Sequence, residues 1–161
     1  MATRRILNER TDGQTLRRTC REVETVDARI LTLLDDMAET MAAADGVGLA
    51  APQVGVLRRV AVVDVCDGSG LFELINPEII EQSGEQEGIE GCLSITNIQG
   101  TVKRPLDIKV KTLDRNGQEK ILSAHGYLAR AMCHEIDHLD GVLFVDKATN
   151  LYRPEEYSKN Q

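Results

Sequence analysis

The chain has no tryptophan, and only three tyrosines and two phenylalanines in 161 residues. Its core must therefore rest on Leu, Ile, Val and Ala. Proline is scarce, with four residues, and no linker, internal repeat or low-complexity tract divides the chain. Long apolar runs are missing. No stretch approaches membrane length, and Met1 to Arg10 hold no apolar core suited to a signal peptide. Excess positive charge is missing too: 19 Lys and Arg against 26 Asp and Glu give a net charge of -7. That sign disfavours a general nucleic-acid binder or an anionic-membrane binder. The four cysteines, Cys20, Cys66, Cys92 and Cys133, are far apart with no C-x-x-C pair. Without a secretion signal they read as reduced thiols in the cytoplasm, one of them free to act as a ligand. What remains is ordinary: 42% hydrophobic and 28% charged residues, a composition expected of one soluble domain over residues 1–161.

In chain order, residues 1–22 are mixed and polar, with Asp12-Gly13 as a turn signal. Thr25 or Asp27 opens a first helix to about Ala44, whose face Ile30, Leu33, Leu34, Met37, Met41 is a core face. Gly46 to Gly55 is small, apolar and glycine-rich, suited to close backbone approach and not to phosphate, since the Lys-Ser/Thr of a P-loop is missing. Gln53 is its single polar side chain and is open to two readings, a buried residue satisfying a turn or a group presented to a site. Arg59 to Val65 reads as a strand. Leu71 to Ile75 and Ile79 to Gln82 read as short strands interrupted by Asn76-Pro77, and Glu85 to Glu90 as a solvated acidic stretch. Asp107 to Leu113 alternates and returns through Asn116-Gly117 as Glu119 to Ser123, a hairpin. From Gly126 the period is helical up to Gly141. Val142 to Val145 reads as a last strand, and Lys147 to Gln161 as a polar tail. The fold class expected is α+β, with antiparallel-rich sheets around a central metal-binding helix.

That helix carries His134-Glu135-Ile136-Asp137-His138, an H-E-x-x-H pattern. Positions i and i+4 lie one above the other, so both imidazoles can meet one metal ion. Glu135 is turned by about 100° and stands beside them as an acid/base. A catalytic metal usually takes a third protein ligand. Phe144 stands where a metzincin would place its third histidine. Glu155 and Glu156 lie in a Pro-containing tail, His125 reads as a surface or capping residue, and Cys133 points away around the helix. Cys20 and Cys66 lie in stretches with no other signal. Cys92, which by itself would read as a small core residue, is the best remaining ligand.

Three motifs in this order, Gly46-Val47-Gly48-Leu49-Ala50-Ala51-Pro52-Gln53, Glu90-Gly91-Cys92-Leu93-Ser94 and His134 to His138, resemble those of the peptide deformylases. The resemblance runs from about residue 15 to residue 147 and includes Arg104-Pro105 and Asn116-Gly117. It implies hydrolysis of the formyl group from formyl-methionyl N-termini of nascent peptides, with release of formate. It implies Cys92, His134 and His138 as metal ligands and Glu135 as general acid/base. Gln53 and the Leu93 N–H would hold the oxygen of the tetrahedral intermediate. Val47, Gly48, Gly91, Tyr127 and Ala131 would bind substrate, and Fe(II), or else Zn, Ni or Co, would be the metal. Rival readings from H-E-x-x-H alone are a metallopeptidase and a non-catalytic metal- or peptide-binding module. A monomer is expected. The sequence departs from the family in three places. Ile95-Thr96-Asn97 replaces a usual Pro or Pro-Gly, in a loop expected to border the cleft. Cys133 replaces a usual Gln, with sensitivity to oxidation expected. The tail Arg153-Pro154-Glu155-Glu156 lacks the basic helix with which some members are thought to dock on the ribosome.

Overall fold

A computed structural model describes residues 2–153. The polar N-terminal stretch contains a short helix, α1 (Glu9–Leu16), where a turn was expected at Asp12-Gly13. Asn8 caps it by accepting from Arg10 N–H, the backbone kinks at Asp12, and the fully buried Leu16 anchors it. Tertiary anchoring thus overrides the local turn chemistry. The next helix, α2 (Ala28–Ala43), is capped by Asp27, whose side chain accepts from Ile30 N–H. Its buried face is the expected one, Ile30, Leu33, Leu34, Met37 and Met41, with Asp36 and Thr40 added.

The glycine-rich segment becomes a three-residue strand, β1 (Gly48–Ala50), and a single 3-10 turn, Ala51–Val54. Strand β2 (Val60–Val63) is buried at every position. Its two faces enter different cores. Val60 and Val62 meet the α2 side chains, while Ala61 and Val63 pack with Ala129, Met132, Ile136 and Leu139 of the motif helix, α3 (Tyr127–Leu139). A sheet covered on both faces explains why this strand does not alternate.

Strand β3 (Phe72–Ser83) is one strand where two were expected. Asn76, at φ 51°, turns its amide to the backbone of Val23, and the register shifts there before pairing resumes at Glu78. A bulge is where a strand tolerates proline, so Pro77 bends this one without ending it. Strands β4 (Gln86–Cys92), β5 (Ile95–Arg104), β6 (Asp107–Leu113) and β7 (Glu119–His125) follow. The expected solvated acidic stretch is therefore mostly strand, and Glu90 within it is buried. The β6–β7 hairpin turns through Gly117 at φ 77°, and Ile108, Val110 and Thr112 face inward as the alternation predicts.

The expected strand at Val142–Val145 is replaced by a short helix, α4 (Phe144–Lys147). Asp146 accepts from Leu143 N–H, and Leu143 and Phe144 are buried with Leu7, Leu16, Ile95 and Val102. A four-residue apolar run suits either structure, and here packing decides. The tail, read as polar with little periodicity, contributes a last strand, β8 (Asn150–Tyr152). The readings placed on Pro154, Glu155 and Glu156 lie outside the described residues. The strands form a five-stranded sheet in the order β1-β2-β3-β6-β7 and a three-stranded sheet in the order β4-β5-β8, with all ladders antiparallel. Among the described residues no helix is long and apolar enough to cross a membrane.

Candidate active site

Helix α3 starts at Gly126, held at φ 62°, and ends before Gly141 at φ 74°. It is buried around nearly its whole circumference, and its charged groups go inside with the rest: Arg130, His134, Glu135 and His138 are all below 9% exposed. Such burial is costly unless each group finds a partner. For Arg130, His134 and His138 the partners come from the β4–β5 hairpin. Cys92 closes β4 and pairs across a two-residue turn with Ile95. Its Sγ lies 3.4 Å from His138 Nε2. One ligand atom from each of Cys92, His134 and His138 lies within 4.8 Å of the other two.

Glu90, two residues before Cys92, carries the second layer. Its carboxylate accepts from Arg104 Nε and Nη2 at 2.9 and 2.8 Å, from Arg130 Nη1 at 2.7 Å and from His134 Nδ1 at 2.9 Å. Burial works against its charge, yet the Arg104 fork and the His134 N–H hold its carboxyl well below the usual range. An ionised Glu90 only accepts, so His134 donates from Nδ1 and turns Nε2 to the site. Arg104 also bonds Asp137 on α3, which Lys147 joins at 3.0 Å.

Glu135 lies against β1. A Cβ added at Gly48 would overlap its Oε2, so the glycine is required for the carboxylate to sit there. Burial, partly offset by the neighbouring His134, pushes the Glu135 carboxyl up to about 7. Its Oε1 is buried without a hydrogen-bond partner among the described residues, and its Oε2 is 4.0 Å from His134 Nε2. The two histidines differ. Burial lowers the proton affinity of both. At His134 the surrounding Glu135, Cys92 and Glu90 outweigh it, while at His138 the charge of His134 adds to it and the value falls well below normal. A cysteine sulfur and two imidazole nitrogens, converging beside a partnerless carboxylate oxygen, fit one divalent transition metal.

Gln53 both satisfies its turn and lines a cleft. Its Oε1 accepts from Ala50 N–H at 2.9 Å, which satisfies the turn, while Nε2 donates to Ser94 Oγ at 3.1 Å and stands 3.6 Å from Cys92 Sγ. The N-terminal segment holds both supporting turns, since Leu7 N–H donates to Gln53 O and Glu9 N–H to Ser94 O. Val47, Gly48, Gln53, Gly91, Cys92, Leu93, Tyr127, Ala131, His134 and Glu135 all line one cleft of about 340 Å³; His138 is fully buried and does not line it.

Two expectations fail. Thr96 and Asn97 are exposed and do not line this cleft; Asn97 sits at φ 61° where β5 bulges away from β4. Cys133 lies in the core at 4% exposure, and burial pushes its thiol up to about 11, the opposite of an oxidation-prone site. Three residues were passed over as part of the site: Glu90, Arg104 and Arg130. Arg130 stands four residues before His134, on the same helix face, and that spacing was the available signal.

The fold and the site define a class: a mixed helix and antiparallel-sheet protein with a Cys-His-His group able to hold a metal beside a buried glutamate. The profile of the polypeptide deformylase family matches residues 4–154. The chain is 56% identical over 153 residues to the peptide deformylase of Acetivibrio thermocellus, covering 94% of this chain and 89% of that protein. It is 54% identical over 134 residues to peptide deformylase 1 of Bacillus subtilis, covering 83% and 84%. Its structure is similar to the crystal structure of the peptide deformylase from Thermotoga maritima, with a TM-score of 0.87 at 38% identity over 93% of this chain and 100% of that one. The chain belongs to the polypeptide deformylase family, metal-dependent hydrolases that remove the N-formyl group from nascent peptides.

Proposed function

We propose that Cys92, His134 and His138 hold one divalent metal ion, and that residues 1–161 form one catalytic domain that releases formate from formyl-methionyl N-termini. The observation that carries this reading is the convergence of the three donor atoms within 4.8 Å, with Cys92 and His134 lining a cleft also lined by Glu135 and Gln53. When bound, the ion supplies a Lewis acid that lowers the pKa of water and polarises a carbonyl. Fe(II) is the first choice, and the donor set suits Zn, Ni or Co as well.

The remaining chemistry belongs to side chains and backbone. Glu135 takes a proton from the water that adds to the formyl carbon and passes it to the amine nitrogen as the C–N bond breaks. Formate and a free α-amine are the products. Gln53 Nε2 and the Leu93 N–H donate to the formyl oxygen as it gains charge, and each such donor contributes about 3 kcal/mol in comparable sites. Gly48 and Gly91 let the peptide backbone lie close, and Val47, Tyr127 and Ala131 border the methionine side chain. We place the reaction on nascent chains in the cytoplasm, carried out by a monomer.

The test is formate release from a formyl-Met peptide by protein loaded with Fe(II), Ni(II) or Co(II), with Glu135→Ala run beside wild type. The expected loss in the variant is about 10²- to 10⁴-fold with metal content retained. Absence of formate from the loaded wild type sinks the reading. Cleavage of a casein-like substrate that survives Cys92→Ala would replace it with a peptidase.

A further inference from the structure

We propose that Arg130 is a positioning residue: through Glu90 it sets the orientation of His134, and it pins the hairpin carrying Cys92 and Leu93 onto the helix carrying the histidines. The inference rests on the metal-site reading above and adds a residue to it.

Four hydrogen bonds converge on the Glu90 carboxylate, which has about four lone-pair sites. Arg104 takes one site on each oxygen. His134 takes the second site on Oε1, and Arg130 the second on Oε2. A fully used carboxylate has one rotamer available, and that rotamer aims Oε1 at His134 Nδ1. Arg130 Nη1 also donates to Val102 O at 3.0 Å and lies 3.4 Å from Gly88 O. Gly88 and Val102 are register partners in the β4–β5 ladder. One guanidinium from α3 therefore grips both strands of the hairpin and the carboxylate between them.

Gly88 leaves close room for the guanidinium. A Cβ there would stand 3.0 Å from Arg130 Nη2 and 3.2 Å from Cζ. The arginine also lines the cleft that holds Val47 and Ala131. The wall of the substrate cleft and the second layer of the metal site thus share one side chain.

The experiment compares Arg130→Met, Arg130→Lys and Gly88→Ala with wild type, by Co(II) affinity in a chelator competition, the absorption spectrum of the Co(II) protein, and kcat and KM for a formyl-Met peptide. Loss of an outer partner of a metal-bound histidine lowers metal affinity by about 10- to 100-fold. Arg130 acts one bond further out, so Arg130→Met is expected at the low end, about 10-fold. Its Co(II) spectrum should be altered and kcat should fall more than KM rises. Arg130→Lys should restore part of the affinity. Gly88→Ala, which displaces the guanidinium without removing its charge, should shift the same readouts by a smaller factor, and it decides the matter if Arg130→Met does not fold. Variants that melt earlier but match wild type in Co(II) affinity, spectrum and kcat overturn the proposal and leave the metal reading standing. A wild type that takes no Co(II) through Cys92 overturns both.

Discussion

Helices α2 and α3 are both built into the core, yet they are buried for different reasons. Helix α2 buries a face of five apolar residues, and its two buried polar groups, Asp36 and Thr40, are satisfied by the N-terminal residues Ala2 and Arg4 and by its own backbone. Helix α3 buries ten of its thirteen residues. Four of those, Arg130, His134, Glu135 and His138, are ionisable groups: Glu90 of the β4–β5 hairpin pairs with Arg130 and His134, His138 Nε2 faces Cys92 Sγ, and Glu135 lies against Gly48. The contrast teaches that α2 stabilises the fold by what it removes from water. Helix α3 accepts desolvation to hold charges in fixed relation, as a preorganised site requires.

Three substitutions would break or sharpen that contrast. Arg104→Met should cost most. It leaves Glu90 and Asp137 buried beside a lost guanidinium, and removing one partner of a buried ion pair costs about 3–5 kcal/mol. For a chain of this length the melting temperature should fall by roughly 6–20 °C, and activity should fall with it. A thermal melt within a degree or two of wild type would show that water screens these charges and that α3 is less dry than its burial indicates. Leu34→Ala on α2, at a fully buried position, should lose about 2–5 kcal/mol in urea titrations. Its formate release per folded molecule should stay within about twofold of wild type, the margin expected for sites that do not share partners. A tenfold loss of specific activity would mean that the two helices are not separable. Asp27→Ala removes the α2 cap that Ile30 N–H donates to. The expected cost is about 1 kcal/mol, again by urea titration and again without effect on turnover.

The difference between the helices also explains what could be read in advance. The α2 face, its Asp27 start and the Gly117 hairpin follow from local period and turn chemistry. So does the i, i+4 pairing of His134 and His138. Glu90 shows the opposite case. In sequence it ends a run of acidic and polar residues, and by composition it reads as solvent-facing. It is buried because β4 pairs with β5 beneath α3, which puts Arg104, Arg130 and His134 around it, 14 to 44 residues away in sequence. Local pattern carries no information about such a neighbour. Similarly, Val142–Val145 could have been strand or helix, and only the apolar cluster with Leu7 and Leu16 selected the helix.

By itself the sequence determined the helical and strand periods, the glycine turns, the two imidazoles on one helix face and the three motifs that mark the family. These depend on residues within a few positions of one another, where geometry is set by the 3.6 and 2.0 periods of the backbone. Only the tertiary structure decided which acid became the partner of His134, why Gly48 must lack a side chain, and that Cys133 is buried in the core while Cys92 faces His138 across 46 residues of chain. The reason is desolvation: a buried charge must be paired, and which residue meets it is fixed by strand register and helix packing, not by sequence neighbourhood.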